Sequence, residues 1–296
     1  MSYEFTERQI DEIIKNWGQE IYLKILQDIE IYSKKWRLSD LIFYEYFSIN
    51  AIFFCKSETY GDCVLKIGSN EQEELFYREY SMLREYNGRR FVKAYESDID
   101  KEKQKKAMLI ERCIPGNRLT EEKILEKRLA VFTELYNGLH IEPKNPGIYE
   151  SYVKQVYDIE KEILSAYAQK AKNLIFDLIK TYDKKMLLHI DIHSDNILSS
   201  NGGYKIIDPK GIIGDPIFET GLYIFSECCE NSIQPENIEI MFNYLEKRLD
   251  IPDIILRQCF YIETVRFLSY YVSKYGASEW DVERLKFADN VLNNIF

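Results

Sequence analysis

The sequence predicts an α+β protein of two lobes: a small lobe over residues 1–113 built on an antiparallel sheet, and a larger, mainly helical lobe over 114–296. Three observations carry that expectation. Short apolar runs of strand length lie before Glu111, apolar positions at helical spacing dominate beyond Leu119, and no repeat, low-complexity segment or Pro/Gly-rich linker divides the chain. The break is therefore placed where the pattern changes, near Cys113. Length and content agree, since 296 residues make one large or two ordinary domains and 46% hydrophobic residues supply a sizeable core.

Residues Phe5 to Lys35 carry Ile10, Ile13, Ile14, Ile21, Ile25 and Ile29 at helical spacing, opened by Thr6 with Gln9 three later, a capping-box pattern. One or two amphipathic helices are predicted, covering a face of the sheet that follows. Strands are predicted at Leu41 to Phe47, Ala51 to Lys56, Cys63 to Ile67, Phe91 to Glu96 and Ala107 to Glu111, with a helix from Gln72 to Tyr86 between the third and fourth. Beyond Leu119 helices are expected at Glu121 to Leu139, Tyr149 to Tyr182, Pro216 to Cys229, Pro235 to Leu249, Ile251 to Lys274 and Ser278 to Phe296. The interruption is a hairpin within residues 187–219.

Composition narrows the function classes. A net charge of −10 argues against nucleic acid, whose phosphates call for a basic patch, and suits a cationic small substrate, although many enzymes are simply acidic. The six cysteines form no C-x-x-C pair, and three histidines are too few for a zinc site, so reduced thiols are expected. No apolar run reaches transmembrane length and no signal-peptide pattern is visible, which makes the cytoplasm the expected location and gives no reason to expect a membrane. Nothing implies a protein partner.

The hairpin region reads L-L-H-I-D-I-H-S-D-N-I-L, a Gly-Gly turn, then Y-K-I-I-D-P-K-G-I-I-G-D-P-I-F-E. Asp191 and Asn196 stand five apart with His189 two before the Asp, and the flanking runs Ile197-Leu198 and Ile206-Ile207 read as paired strands that return Asp208 beside Asn196. An amide oxygen and a carboxylate are hard ligands of the kind Mg²⁺ takes together with waters and substrate phosphates. Asp215 before Pro216 reads as the cap of the next helix.

The order H-x-D-x-x-x-x-N followed by D resembles the catalytic loop and metal-binding Asp of protein-kinase-like phosphotransferases. H-I-D-I-H-S-D-N-I-L is similar to the aminoglycoside phosphotransferase signature, and I-D-P-K-G-I-I-G-D-P-I-F-E to the corresponding segment of the streptomycin 6-phosphotransferase and hydroxyurea kinase subgroup, where D-P-K stands for D-F-G. The resemblance implies a bilobal protein-kinase-like fold and a kinase that moves the γ-phosphate of ATP (or GTP), with Mg²⁺, onto a hydroxyl of a streptomycin-like aminoglycoside, conferring resistance. It assigns Asp191 to the acceptor hydroxyl, Asn196 and Asp208 to the metal, Lys66 in C-V-L-K-I-G to the nucleotide's α and β phosphates, and Glu79 as that lysine's partner, with Glu74 as the alternative. By counting back from Pro115-Gly116, it puts the adenine-binding backbone at Arg112 and Ile114. His189 and His193 brace the loop, and Lys210 has no assigned role.

One departure matters. Tyr46 to Ala51, where a phosphate-covering loop belongs, contains no glycine, which leaves the Ser48 hydroxyl or the Asn50 amide for the phosphates. Glu227 and Glu230, three apart on one helix face, fall where the acceptor pocket is expected, although a solvated face is the commoner meaning of such a pair. Alternatives are a kinase of another small alcohol or of hydroxyurea, or a nucleotide-binding pseudokinase acting as a regulatory module.

Overall fold

The computed structural model describes residues 3–45, 50–68, 73–100, 102, 105–159, 165–230 and 235–294. Ser48 lies outside the described residues, as does the side chain of Glu230. The chain divides into two compact units, Met1–Gly116 and Asn117–Phe296.

The first unit opens on α1 (Glu7–Trp17) and α2 (Gln19–Lys35). The capping box is present: the Gln9 N–H donates to Thr6 Oγ1 and the Thr6 N–H to Gln9 Oε1. Gly18, at φ +93°, separates the two helices, a backbone angle that glycine adopts without a steric penalty. The sheet is formed by β1 (Leu38–Phe43), β2 (Asn50–Ser57), β3 (Gly61–Gly68), β4 (Ala94–Asp100) and β5 (Lys105–Glu111) in the order β1-β2-β3-β5-β4, all antiparallel. β1 sits three residues earlier than the apolar run suggests, because Leu38 and Ser39 pair with Ser57 and Lys56. β4 begins only at Ala94, past the turn that ends the helix α3 (Glu73–Tyr86).

Ile13, Ile25, Ile29 and Tyr32 of α1 and α2 pack with Phe53, Leu65, Ile67 and Leu109 of the sheet into one core, so the helices cover that face as expected. Alternation along β3 does the rest. Leu65 and Ile67 point into this core, which turns Lys66 to the other face.

The second unit begins within β6 (Pro115–Arg118), whose Asn117 N–H donates to the Ser199 hydroxyl. Then follow α4 (Leu125–Tyr136), β7 (Glu150–Ser151), α5 (Tyr152–Tyr157), α6 (Ser165–Leu178), β8 (Met186–Leu188), β9 (Ile197–Ser200), β10 (Gly203–Ile206), β11 (Ile212–Gly214), α7 (Ile217–Phe225), α8 (Pro235–Leu249), α9 (Asp253–Tyr275) and α10 (Glu279–Leu292). The short strands β7, β8 and β11 are additions to the sequence reading. At two or three residues each they are too short to show a period of two.

α7 and α9 form the centre of this unit. At Gly221 an added Cβ would lie 2.5 Å from the Cys259 carbonyl oxygen, so only glycine admits so close a crossing. Tyr152 stacks on Phe218 and Phe132 on Tyr223 around the same crossing. All six cysteines are buried free thiols. Among the described residues no helix is long and apolar enough to cross a membrane.

Candidate active site

Two strand pairs hold the motif loop at both ends. β8 pairs with β11 through Leu188 and Ile212, and β9 pairs with β10 through Ile197 and Ile206. The residues between them therefore converge: the Ile207 N–H donates to the Asn196 carbonyl at 3.0 Å, and the Lys210 N–H to the His189 carbonyl at 3.0 Å. This places Asp208 beside Asn196, as the hairpin spacing requires.

His189 is buried, and both its ring nitrogens are engaged. The Asp191 N–H donates to its Nδ1 at 3.0 Å, so Nδ1 is the unprotonated nitrogen, and Nε2 then donates to the Ile207 carbonyl at 2.7 Å. One neutral tautomer satisfies both. Burial lowers its pKa to about 4, which keeps it neutral at physiological pH. It braces the loop rather than titrating in it.

Ile190, between His189 and Asp191, has φ +56°, a conformation strained for a β-branched residue and costing on the order of 1–3 kcal/mol. The Ile190 N–H donates to Glu219 Oε1 at 2.7 Å, which holds the kink in place. Glu219 is fully buried on α7, its Oε2 has no hydrogen-bond partner among the described residues, and burial raises its carboxyl to about 8 despite the Ile190 and His189 backbone N–H groups. A carboxylic acid in its neutral form fits that environment. Sequence reasoning missed this residue, since a Glu two places into a helix reads as a first-turn charge.

Asp191 itself is partly exposed. Lys210 Nζ lies 3.0 Å from its Oδ2, and His193 Nε2 3.9 Å from its Oδ1. The Asn196 amide nitrogen donates to the Asp191 carbonyl at 2.8 Å, leaving Oδ1 as that side chain's acceptor. Asp208 stands at φ +56° just beyond. Among the described residues no cluster of three or more His, Cys, Asp or Glu gathers to hold a metal. Asn196 Oδ1 and the Asp208 carboxylate nonetheless fit Mg²⁺, which takes one or two protein oxygens and completes its shell with water and phosphate.

Glu227 does not stand on a solvated or ligand-facing surface. It is fully buried on the turn Ser226–Glu230, where Arg128 Nη2 donates to it at 2.6 Å, Arg128 Nε at 3.1 Å and the Ser194 hydroxyl at 2.8 Å. An external cation reaches it only if Arg128 is displaced. The acceptor-binding reading of Glu227 thus gives way to a bracing one, in which α4 and the turn hold the Ser194 end of the loop. Asp215 does cap α7, accepting from the Ile217 N–H at 3.1 Å, and also accepts from the Lys184 N–H.

In the first unit Lys66 Nζ contacts both Glu79 oxygens, at 2.7 and 2.8 Å, and both residues are buried. Glu79 shares one face of α3 with buried Phe76, Leu83 and Tyr86, whereas Glu74 is exposed. Arg112 follows β5 with its guanidinium 4.2 Å from the Phe54 ring centroid, and Ile114 is exposed. Asn50 is buried at the start of β2.

The profile of the aminoglycoside/hydroxyurea antibiotic resistance kinase family matches residues 56–269, well over half the chain. The chain belongs to that family. It is a small-molecule phosphotransferase with a hydroxyl acceptor. No curated protein matches at a significant level. Solved structures of similar fold include aminoglycoside phosphotransferase APH(4)-Ia in ternary complex with ADP and hygromycin B, at 14% identity and a TM-score of 0.61 over 90% of this chain and 96% of that one. Choline kinase LicA from Streptococcus pneumoniae aligns at 16% identity and 0.62, over 92% and 99%. The Plasmodium vivax ethanolamine kinase aligns at 11% and 0.67, over 100% and 98%. These likenesses establish the protein-kinase-like fold of this family member, with its antiparallel-sheet N-terminal part and helical C-terminal part.

Proposed function

We propose that the protein transfers the γ-phosphoryl group of ATP or GTP to a hydroxyl of a streptomycin-like aminoglycoside and so confers resistance. The carrying observation is the motif loop, in which a partly exposed Asp191 stands on a buried, hydrogen-bonded brace beside Asn196 and Asp208. Nucleotide as donor is supported by the ADP in the APH(4)-Ia structure, and an aminoglycoside acceptor by its hygromycin B.

In this reading Asp191 orients the acceptor hydroxyl and takes up its proton. A carboxylate is a weak base for an alcohol, but the loose transition state of phosphoryl transfer asks mainly for orientation. Asn196 Oδ1 and the Asp208 carboxylate hold Mg²⁺. The ion, when bound, neutralises charge on the β and γ phosphates. Lys66, kept charged and extended by Glu79, serves the α and β phosphates, and the backbone at Arg112 and Ile114 serves the adenine. Residues 1–113 are assigned to the nucleotide and 114–296 to the metal and acceptor.

A second reading, a small neutral acceptor such as hydroxyurea, is favoured by two observations. Glu227 is committed to Arg128, and Lys210 Nζ lies 3.0 Å from Asp191 Oδ2, so the expected acidic pocket loses a member and gains a cation. A coupled nucleotide-hydrolysis screen over streptomycin, hygromycin B, simple amino alcohols and hydroxyurea decides between them. Mg²⁺-dependent phosphorylation of streptomycin supports the first reading, turnover of hydroxyurea alone supports the second, and no turnover with any acceptor or water supports a pseudokinase.

A further inference from the structure

Among the charged groups of the motif that this chemistry leaves unassigned, Lys210 stands against Asp191. Its backbone N–H is fixed to the His189 carbonyl, and Gly211 and β11 follow at once, so its Cα cannot drift from the loop that carries Asp191. Its side chain crosses to Asp191, Nζ to Oδ2 at 3.0 Å, and both side chains stay open to solvent, at 36% and 28% exposure.

Charge supplies the reason. Asp191 ionised repels the polyphosphate that must come near it, and the chain has no glycine between Tyr46 and Ala51 to bring backbone N–H groups onto the phosphates. A fixed cation beside Asp191 offsets that repulsion. Ammonium groups aimed where phosphoryl charge accumulates are a recurring source of transition-state stabilisation.

We propose that Lys210 is a catalytic residue of this phosphotransferase, paired with Asp191 in the free protein and contacting a γ-phosphoryl oxygen as transfer proceeds. The inference rests on the reading of Asp191 given above. In the step, the acceptor oxygen forms a bond to the γ-phosphorus, the β,γ-bridging P–O bond breaks with its electron pair going to the nucleoside diphosphate, and the acceptor proton passes to Asp191. Lys210 keeps its charge throughout.

The test compares Lys210→Met, Lys210→Arg and Lys210→Ala with Asp191→Asn. The readouts are Mg·ATP hydrolysis to water, streptomycin-dependent turnover where present, and nucleotide affinity. Expected for Lys210→Met is a fall in kcat of about 10² or more with nucleotide Kd within about threefold, because the contact forms mainly in the transition state. Lys210→Arg should retain more activity, and ethylammonium should restore Lys210→Ala in a concentration-dependent way, which no structural brace would show. Near wild-type kcat in Lys210→Met, or a loss that neither Arg nor ethylammonium relieves, overturns the proposal. If Lys210→Met loses its native circular dichroism, the decision passes to Lys210→Arg and the ammonium rescue. Full turnover in Asp191→Asn instead sinks the reading of the loop itself, whatever Lys210 does.

Discussion

The motif loop has an underside and an outer side, and their titratable groups differ in burial. Beneath it, His189, Glu219 and the Glu227 carboxylate are buried, and each holds backbone or a neighbouring side chain within hydrogen-bond distance. On the outer side Asp191, His193, Asp195 and Lys210 are 23–42% exposed and meet one another at 3.0 Å or more. Burial has made the lower set neutral or internally paired, since an unpaired charge there is costly. The outer set keeps part of its hydration, with Asp195 also accepting from the Thr120 hydroxyl at 2.6 Å. Stability and chemistry should therefore separate between the two sides.

The largest expected effect on stability falls beneath the loop. Glu227→Gln leaves the Arg128 guanidinium, 11% exposed, facing a neutral amide, and breaking such a buried pair costs on the order of 3 kcal/mol. Urea unfolding should show it, and Arg128→Met together with Glu227→Met should recover most of the loss. Recovery absent in the double variant would mean that packing, not charge, is at stake.

Gly221→Ala comes next. The added methyl meets the Cys259 carbonyl at 2.5 Å and Glu263 Cβ at 2.9 Å, so α7 and α9 must separate, at a cost of about 1–3 kcal/mol. A thermal midpoint unchanged from wild type would show that the crossing has slack.

Glu219 adds a pH dependence. Its folded pKa of about 8 is raised by burial above the unfolded value of about 4.3, so the folded state binds the proton more tightly. The stability this confers is whole below the unfolded pKa and is lost as pH rises toward 8, by up to about 1.4 kcal/mol per pH unit. Subtracting the Glu219→Gln profile from wild type between pH 5 and 9 isolates the effect. A flat difference would place the charged form in the folded protein.

The smallest effect concerns the acceptor. Raising salt from ~0.05 to ~0.5 M shortens the Debye length below its ~10 Å value at 0.1 M, and KM for streptomycin should rise several-fold with kcat little changed. Indifference to salt would favour the neutral-acceptor reading.

Much of this arrangement was legible in the sequence because it is local. Paired runs around Gly202 and Gly203 bring Asp208 back to Asn196, whereas Lys66 and Glu79 were singled out by the family resemblance alone, and it is the structure that shows them paired off the core. Apart from His189, the underside was not legible, because its partners are remote in sequence. Nothing near Glu227 announces Arg128, and nothing near Ile190 announces Glu219. An acidic residue in a helix reads as solvated until the element packed over it is known. β7, β8 and β11 escaped notice for a different reason: two or three residues carry no periodicity, yet β8 and β11 are what hold the two ends of the loop together.

The separation of the two sides is tested most directly by one titration, Mg·ATP binding to wild type, Asp191→Asn and Asp208→Ala by isothermal calorimetry, with turnover measured on the same samples. The account predicts that Asp208→Ala loses metal-dependent binding, while Asp191→Asn binds nearly as wild type yet turns over at least ~10² more slowly, the usual scale for a positioned acid–base group. Equal loss of affinity in both variants would contradict it.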